Sequence, residues 1–376
     1  MPKRVLFLSA SVGVGHTAAA QAVRAALAAR DATIETQTVD SYRYAASIFS
    51  KVVADGYIGM VKTVPQLYRY IYDRAERATH VPAFRRWVSQ YTAANLRALV
   101  NERKPDVVVC THAFPCGVMS EYKRQFDPAL PVVGIVTDFA VHPFWIHTNV
   151  DAYAVATAEI RQALVARGVP ADRVLVSGIP VDGRFGAPRL PLDELRVALG
   201  LPLDRRIVLI MGGGAGIGPL DMMMRALGSL DVPLAAAVIV GRNGRLQKRI
   251  LAAAERTAYP VRVYGFVDNV YDYMHASDVL LSKPGGLTSS EALTAQLPMV
   301  LVKPLPGQEE RNTRYLVSRR AAVKAVGERQ LASAVAELLT SHERRRQLHE
   351  RMDRLRRPDA AAAVAARILT LLDASA

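Results

Sequence analysis

Short, almost unbroken apolar runs alternate along this chain with longer segments whose apolar positions recur at helical spacing. In the first half the runs fall at 4–9, 33–39, 106–110, 131–136, 151–156 and 173–177. The second half repeats the pattern at 206–211, 236–240, 261–264, 278–282, 298–302 and 321–326. Runs this short, most of them rich in β-branched residues, predict strands buried on both faces of a parallel sheet. With helices between them, such as an Ala-rich helix over 17–29, they predict an α/β chain with two doubly wound sheets. The Gly- and Pro-rich stretch at 178–188 marks the join. The expected domains are therefore 1–178 and 179–357, followed by a C-terminal helix over 358–376 that packs back on the body. Two such domains would turn the carboxyl ends of their strands, where ligands bind, toward one cleft.

Composition fits this picture and narrows the partners. At 376 residues, 51% hydrophobic and 22% charged, the chain is globular and long enough for two cores. Its apolar runs, such as 232–240, fall short of the roughly 20 residues a bilayer span needs. The N-terminal run breaks into Gly13-Val14-Gly15-His16, which reads as strand and glycine loop instead of a signal peptide. Cys110 and Cys116, without metal-ligand spacing, fit a reduced cytoplasmic enzyme. The net charge of +14 implies a polyanionic partner. Residues 41–97 carry nine Lys/Arg against three Asp/Glu, interleaved with tyrosines and aliphatic residues. That mixture predicts a segment lying on an anionic membrane surface, although an amphipathic hairpin in the core has the same composition. No nucleic-acid motif is present, so nucleic acid is not an expected partner.

The chemistry concentrates at strand ends. The stretch 282–312 runs from an apolar strand through Gly285-Gly286 into Thr288, Ser289 and Ser290, read as capping residues, with Glu291 in the first helical turn. Unpaired N–H groups and the helix dipole there suit a diphosphate, and a carboxylate one turn in suits a ribose diol. A second strand then leads into a polar loop with Gln308, Glu309, Glu310 and Asn312, suited to a sugar. His16, after the first strand and at a helix start, is placed to act as general base toward a hydroxyl. In the segment Thr137-Asp138-Phe139-Ala140-Val141-His142-Pro143-Phe144-Trp145, Asp138 is a candidate to orient a histidine or bind the acceptor, and Trp145 to line an apolar groove. Asp138 and His142 lack a clear third ligand, so no metal site is expected. The loop 212–218, GGGAGIG, resembles a dinucleotide fingerprint but lacks the following acidic residue. Phe266, at a strand end, is a candidate to flank a planar base, and Arg242 to meet a phosphate.

Taken together, GVGH at 13–16, TDFAVHPFW at 137–145, GIPVDGRF at 178–185, GGGAGIG at 212–218 and GF…KPGGLTSSEA…PGQEERN at 265–312 resemble the monogalactosyldiacylglycerol synthase and processive diacylglycerol glycosyltransferase family. More distantly they are similar to the bacterial enzyme that adds N-acetylglucosamine to the lipid-linked peptidoglycan precursor. The resemblance implies a GT-B fold, a UDP-sugar donor (UDP-galactose or UDP-glucose), diacylglycerol as acceptor, inversion at the anomeric carbon, no cofactor and no essential metal. By motif position it implies His16 as the base and Asp138, His142 and Trp145 on the acceptor side. Gly214, Gly286, Leu287 and Thr288 would contact the diphosphate, Phe266 and Val267 uracil, Glu291 ribose, and Gln308 and Glu309 the sugar. Val14 departs from the pattern, standing where many members carry another glycine. The expected location is cytoplasmic, peripheral on the inner face of the cell membrane. Other readings are transfer to a polyprenyl-linked or soluble acceptor, a UDP-sugar 2-epimerase, and a non-catalytic nucleotide-binding protein.

Overall fold

The computed structural model describes residues 2–10, 14–44, 93, 96–188, 190–213 and 218–374. The chain divides into two compact units. Residues 1–181, 305–308 and 359–376 form the N-terminal unit, and residues 182–304 with 309–358 form the C-terminal unit.

The N-terminal unit runs β1 (Arg4–Ser9), α1 (Val14–Arg30), β2 (Glu35–Asp40), β3 (Val107–Cys110), α2 (Ala113–Gln125), β4 (Val132–Ile135), β5 (Ala152–Val155), α3 (Ala158–Val165) and β6 (Val174–Val176). Its sheet is parallel throughout, in the order β2-β1-β3-β4-β5-β6. Alternate residues of the buried strands feed two cores, as the period of a strand requires. Val5, Phe7, Val107 and Val109 pack with Val23 and Leu27 of α1 and with Ile368 and Leu372 of the C-terminal helix (Ala360–Ala374). Leu6, Leu8, Val108 and Cys110 pack on the opposite face with Met119, Trp145, Tyr153 and Leu164.

The C-terminal unit runs α4 (Leu192–Ala198), β7 (Arg206–Met211), α5 (Leu220–Leu227), β8 (Leu234–Ile239), α6 (Gly244–Ala254), β9 (Val261–Tyr264), α7 (Val270–Ala276) and β10 (Val279–Ser282). It continues through α8 (Gly286–Thr294), β11 (Met299–Val302), α9 (Gln308–Ser318), β12 (Val323–Ala325), α10 (Gly327–Thr340) and α11 (His342–Leu355). The parallel order β12-β11-β10-β7-β8-β9 reverses direction between β10 and β7. In the N-terminal sheet the reversal lies between β1 and β3. At such a switch point the loops leaving two adjacent strands diverge and open a crevice for ligand.

An aspartate just ahead of a strand recurs as a clamp. Asp106 Oδ2 accepts the Arg4 N–H at 2.6 Å, Asp151 Oδ2 the Val132 N–H at 2.7 Å, and Asp278 Oδ2 the Ile207 N–H at 2.7 Å. Each satisfies a backbone donor at the start of the neighbouring strand. Each aspartate was expected to be the first residue of its strand, and the strands instead begin one residue later. Two helix starts also differ from expectation. α1 begins at Val14, so Gly15 and His16 belong to its first turn. Gln308, Glu309 and Glu310 lie in the first turn of α9, not in a loop, where two carboxylates favour the helix dipole. Among the described residues no helix is long and apolar enough to cross a membrane.

Candidate active site

The N-terminal site forms at the switch point. β1 and β3 pair with Leu8 opposite Cys110, which brings the start of α1 beside Thr111 and His112. His16 Nδ1 lies 2.9 Å from the Thr111 carbonyl oxygen and 3.0 Å from Thr137 Oγ1, the latter from the loop after β4. A carbonyl can only accept, so Nδ1 carries the proton and donates it there. The lone pair of His16 is thereby fixed on Nε2, which has no protein partner among the described residues. Burial pushes the His16 pKa down to about 4, against a smaller upward pull from the Thr111 carbonyl. His16 is half-buried and neutral at physiological pH, with Nε2 able to accept a proton.

Neighbouring aromatic rings frame this imidazole. The His112 ring meets His16 edge to face, with centroids 4.7 Å apart and planes at 87°. Behind it Tyr42 stacks on Phe114 at 5.2 Å. The loop after β4 is tied down by Tyr153, whose hydroxyl donates to the Trp145 carbonyl at 2.6 Å and accepts the His147 N–H at 3.0 Å. Gly134 on β4 makes room for that ring, since a Cβ there would lie 2.9 Å from the Tyr153 ring. His142 is buried and caps a short 3-10 turn, its Nδ1 accepting the Phe144 N–H at 3.2 Å. Trp145 is only 2% exposed and belongs to the core, so the groove-lining role expected of it is not what its side chain does. Its aromatic body fills the space under the loop that carries Thr137 and the half-buried Asp138.

The C-terminal site forms at the other switch point. Ser282 of β10 faces Met211 of β7, and its hydroxyl donates to the Met211 carbonyl at 3.1 Å. The loop leaving β7 at Gly212-Gly213 therefore stands beside the Gly285 turn. Gly213 has φ +73°, a conformation that favours glycine. α8 is capped by Gly285 backbone alone, so Thr288, Ser289 and Ser290 are not its caps. Ser289 and Ser290 turn inward and are buried, and Glu291 falls in the second turn. No side chain caps the first N–H groups of α8, an arrangement that can bind an anion. Buried Asn312 holds the turn, donating from Nδ2 to the Pro284 carbonyl at 3.1 Å.

Glu291 is partly buried, and its pKa is pushed up to about 7, by burial first and by the charge of Asp182 second. Glu309 is ion-paired with Lys283 at 2.9 Å, both largely buried. Gln308 opens α9 and is partly exposed, as are Leu287, Thr288 and Val267. Phe266 is 46% exposed, and the Arg242 guanidinium lies over its ring at 3.8 Å. Gly214 lies outside the described residues, as does most of the basic 41–97 segment. Among the described residues no group of three His, Cys, Asp or Glu is placed to hold a metal ion.

A family model described as monogalactosyldiacylglycerol (MGDG) synthase matches residues 16–181, and one described as glycosyl transferases group 1 matches residues 193–354. The processive diacylglycerol beta-glucosyltransferase of Bacillus cytotoxicus is 30% identical over 362 residues, covering 96% of this chain and 91% of the relative. The chain belongs to the processive diacylglycerol glucosyltransferase family. The namesake of Bacillus cereus strain AH187 is also 30% identical, over 95% of this chain and 91% of its own.

Solved structures show that this family member has the GT-B fold. MurG of Acinetobacter baumannii superposes with a TM-score of 0.63 at 17% identity, over 98% of this chain and all of its own. A UDP-N-acetylglucosamine 2-epimerase of Neisseria meningitidis, bound to its UDP-sugar, gives 0.62 at 13%, over 98% and 100%. A structure described as a glycosyltransferase of Rickettsia africae superposes as well, with a TM-score of 0.59 at 10% identity over 98% of each chain, so the fold does not by itself distinguish a transferase from an epimerase. Thr111 and His112 escaped the sequence reading, as did the Lys283 partner of Glu309 and the charge of Asp182 beside Glu291. The signal for the first two was present: Thr-His directly follows an apolar strand, as Thr-Asp does at 137–138.

Proposed function

We propose that this enzyme transfers a hexose from a UDP-sugar to the hydroxyl of diacylglycerol with inversion, producing a β-glycosyldiacylglycerol. Glucose is the favoured sugar because the relatives are named for it, with galactose the alternative. The observation that carries the reading is the state of His16, whose proton is committed to the Thr111 carbonyl and whose Nε2 lone pair is held for an incoming hydroxyl.

The acceptor oxygen attacks C1 of the sugar as the bond from C1 to the β-phosphate oxygen breaks. The bonding pair leaves with UDP, and the hydroxyl proton passes to His16 Nε2. Charge growing on the departing diphosphate would be met by the N–H groups opening α8, at Gly286, Leu287 and Thr288, and by the glycine loop after β7 that includes Gly214. In this reading the ribose bonds Glu291, the uracil lies at Phe266 and Val267, and Gln308 and Glu309 bond the sugar hydroxyls. Asp138 and His142 border the acceptor, no cofactor is needed, and no step requires a metal. The enzyme would work as a peripheral protein on the inner face of the cell membrane, with the basic 41–97 segment on anionic headgroups.

The test is incubation with labelled UDP-glucose or UDP-galactose and diacylglycerol vesicles, followed by chromatography of the lipids. Labelled glycosyldiacylglycerol from UDP-glucose is expected. Label in a free epimerised sugar, or none in the diacylglycerol lipids, would overturn the acceptor assignment.

A further inference from the structure

His112 stands outside every role given above, yet it touches the base. It is the N-cap of α2, and its Nδ1 accepts the Phe114 N–H at 3.1 Å. That bond consumes the Nδ1 lone pair, so the proton of the neutral ring sits on Nε2. The ring is held by this cap, by Tyr42 at 6.0 Å and by the edge-to-face contact with His16 at 4.7 Å. Two histidines thus meet with opposite tautomers, each fixed by the backbone: Nδ1–H in His16 and Nε2–H in His112.

We infer that His112 is a positioning residue for His16: it walls the imidazole into the plane in which Nδ1 bridges Thr111 and Thr137, and it stays uncharged so that the reaction's proton goes to His16 alone. The inference rests on the base assignment for His16. The torsion that turns a histidine ring is broad, so one hydrogen bond leaves the plane loosely set. An edge-to-face partner narrows it. Protonating His112 would place an N–H against the Phe114 N–H and break the cap, so the ring resists a second positive charge beside the base. Burial and the neighbouring His16 hold its pKa well below the usual histidine range. Other titratable groups on the packed elements are Tyr42 beside the His112 ring, the buried thiols of Cys110 and Cys116, Asp138, which follows Thr137, and His142, which caps the next turn. None of these is among the causes of the His16 shift, which are burial and the Thr111 carbonyl.

Two substitutions separate the wall from the cap. His112→Asn keeps an N-cap acceptor and removes the ring; His112→Phe keeps a ring and removes the acceptor. With UDP-glucose and diacylglycerol vesicles, His112→Asn should lower kcat about 10- to 100-fold, the scale set by misplacing a reacting group. Its KM for donor should stay within about twofold and its melting temperature near that of the parent. Its kcat–pH profile at saturating donor should also change. Water reaching His16 raises that pKa from about 4 toward the ordinary 6.5, so the acidic limb moves to higher pH. His112→Phe should melt earlier but keep kcat within about threefold and keep the parent's acidic limb, because the ring contact survives. Losses in kcat that follow only the loss of melting temperature, with an unmoved pH profile in His112→Asn, would overturn the inference. His16→Ala is the control: parental turnover in it would overturn the base assignment itself, whereas an inactive His16→Ala beside an unaffected His112→Asn would overturn only the role of His112.

Discussion

Glu291 offers a test in which donor binding is read against pH. Its carboxyl sits near pKa 7 in the ligand-free protein, raised from an ordinary 4.5 by burial and by Asp182. A ribose diol donates its two O–H groups best to a carboxylate, so only the ionised form is the proper partner. With a pKa near 7, the carboxyl is about 90% ionised at pH 8 and about 10% ionised at pH 6. The apparent dissociation constant for UDP-glucose should therefore be about tenfold weaker at pH 6 than at pH 8. UDP-glucose is the right probe because its diphosphate is a diester without a proton to gain in this range, and calorimetry without acceptor isolates binding from turnover. Glu291→Gln should bind weakly at both pH values and lose the dependence. The same shift acts on stability, and its sign follows from proton counting. Between 4.5 and 7 the folded chain holds a proton that the unfolded chain has released, so stability falls as pH rises through that window. The cost is at most about 3 kcal/mol once Glu291 is ionised. Ligand-free Glu291→Gln should then melt higher than the parent at pH 8 and about equally at pH 4. Donor binding that is flat from pH 6 to 8, or that keeps its slope in Glu291→Gln, would refute the reasoning.

The remaining predictions follow from the same contacts. His16→Ala should lower kcat about 10²- to 10⁴-fold while leaving UDP affinity within about twofold; single-turnover kinetics and UDP titration read the two separately, and equal losses would remove the base. Asp278 accepts from Arg196, Arg206 and the Ile207 N–H, and the Arg196 side chain is only 8% exposed. Asp278→Ala strands that guanidinium and should cost about 3–5 kcal/mol in urea unfolding, whereas a loss under about 1 kcal/mol would deny the clamp its role. Binding to vesicles should require anionic lipid and weaken in high salt, at about 1 kcal/mol for each Lys or Arg near the surface. Sedimentation with neutral and anionic vesicles measures this, and salt-insensitive binding would argue against a basic membrane face.

The parts of the fold legible in the sequence are those fixed by local burial. β1 and β7 fall at the expected limits because a continuous buried apolar run needs no information from elsewhere. The start of α8 misled for a physical reason. Thr288, Ser289 and Ser290 have the chemistry of caps, but Ser289 and Ser290 face the interior, and the turn is held from a distance by Asn312. Trp145 misled in the same way: a large aromatic after a strand suggests a ligand wall, and only the hydroxyl of Tyr153 shows that its segment is bound into the core.

The site divides along the same line. His16 was visible because its own neighbours in sequence, a strand and two glycines, announce it. Its partners were not, since Thr111 and Thr137 stand 95 and 121 residues away. What joins them is strand order. Once β1 pairs with β3 and β3 with β4, the residues just past each carboxyl end share one edge, and a histidine after the first must meet the threonines after the other two. The same logic places Gly212 beside Gly285 once β7 pairs with β10. The chemistry of each group is therefore written locally, while its pKa and tautomer are written by topology. For His16 those are the properties that the proposed base role requires: the same ring without the Thr111 carbonyl would have no fixed lone pair to offer a hydroxyl.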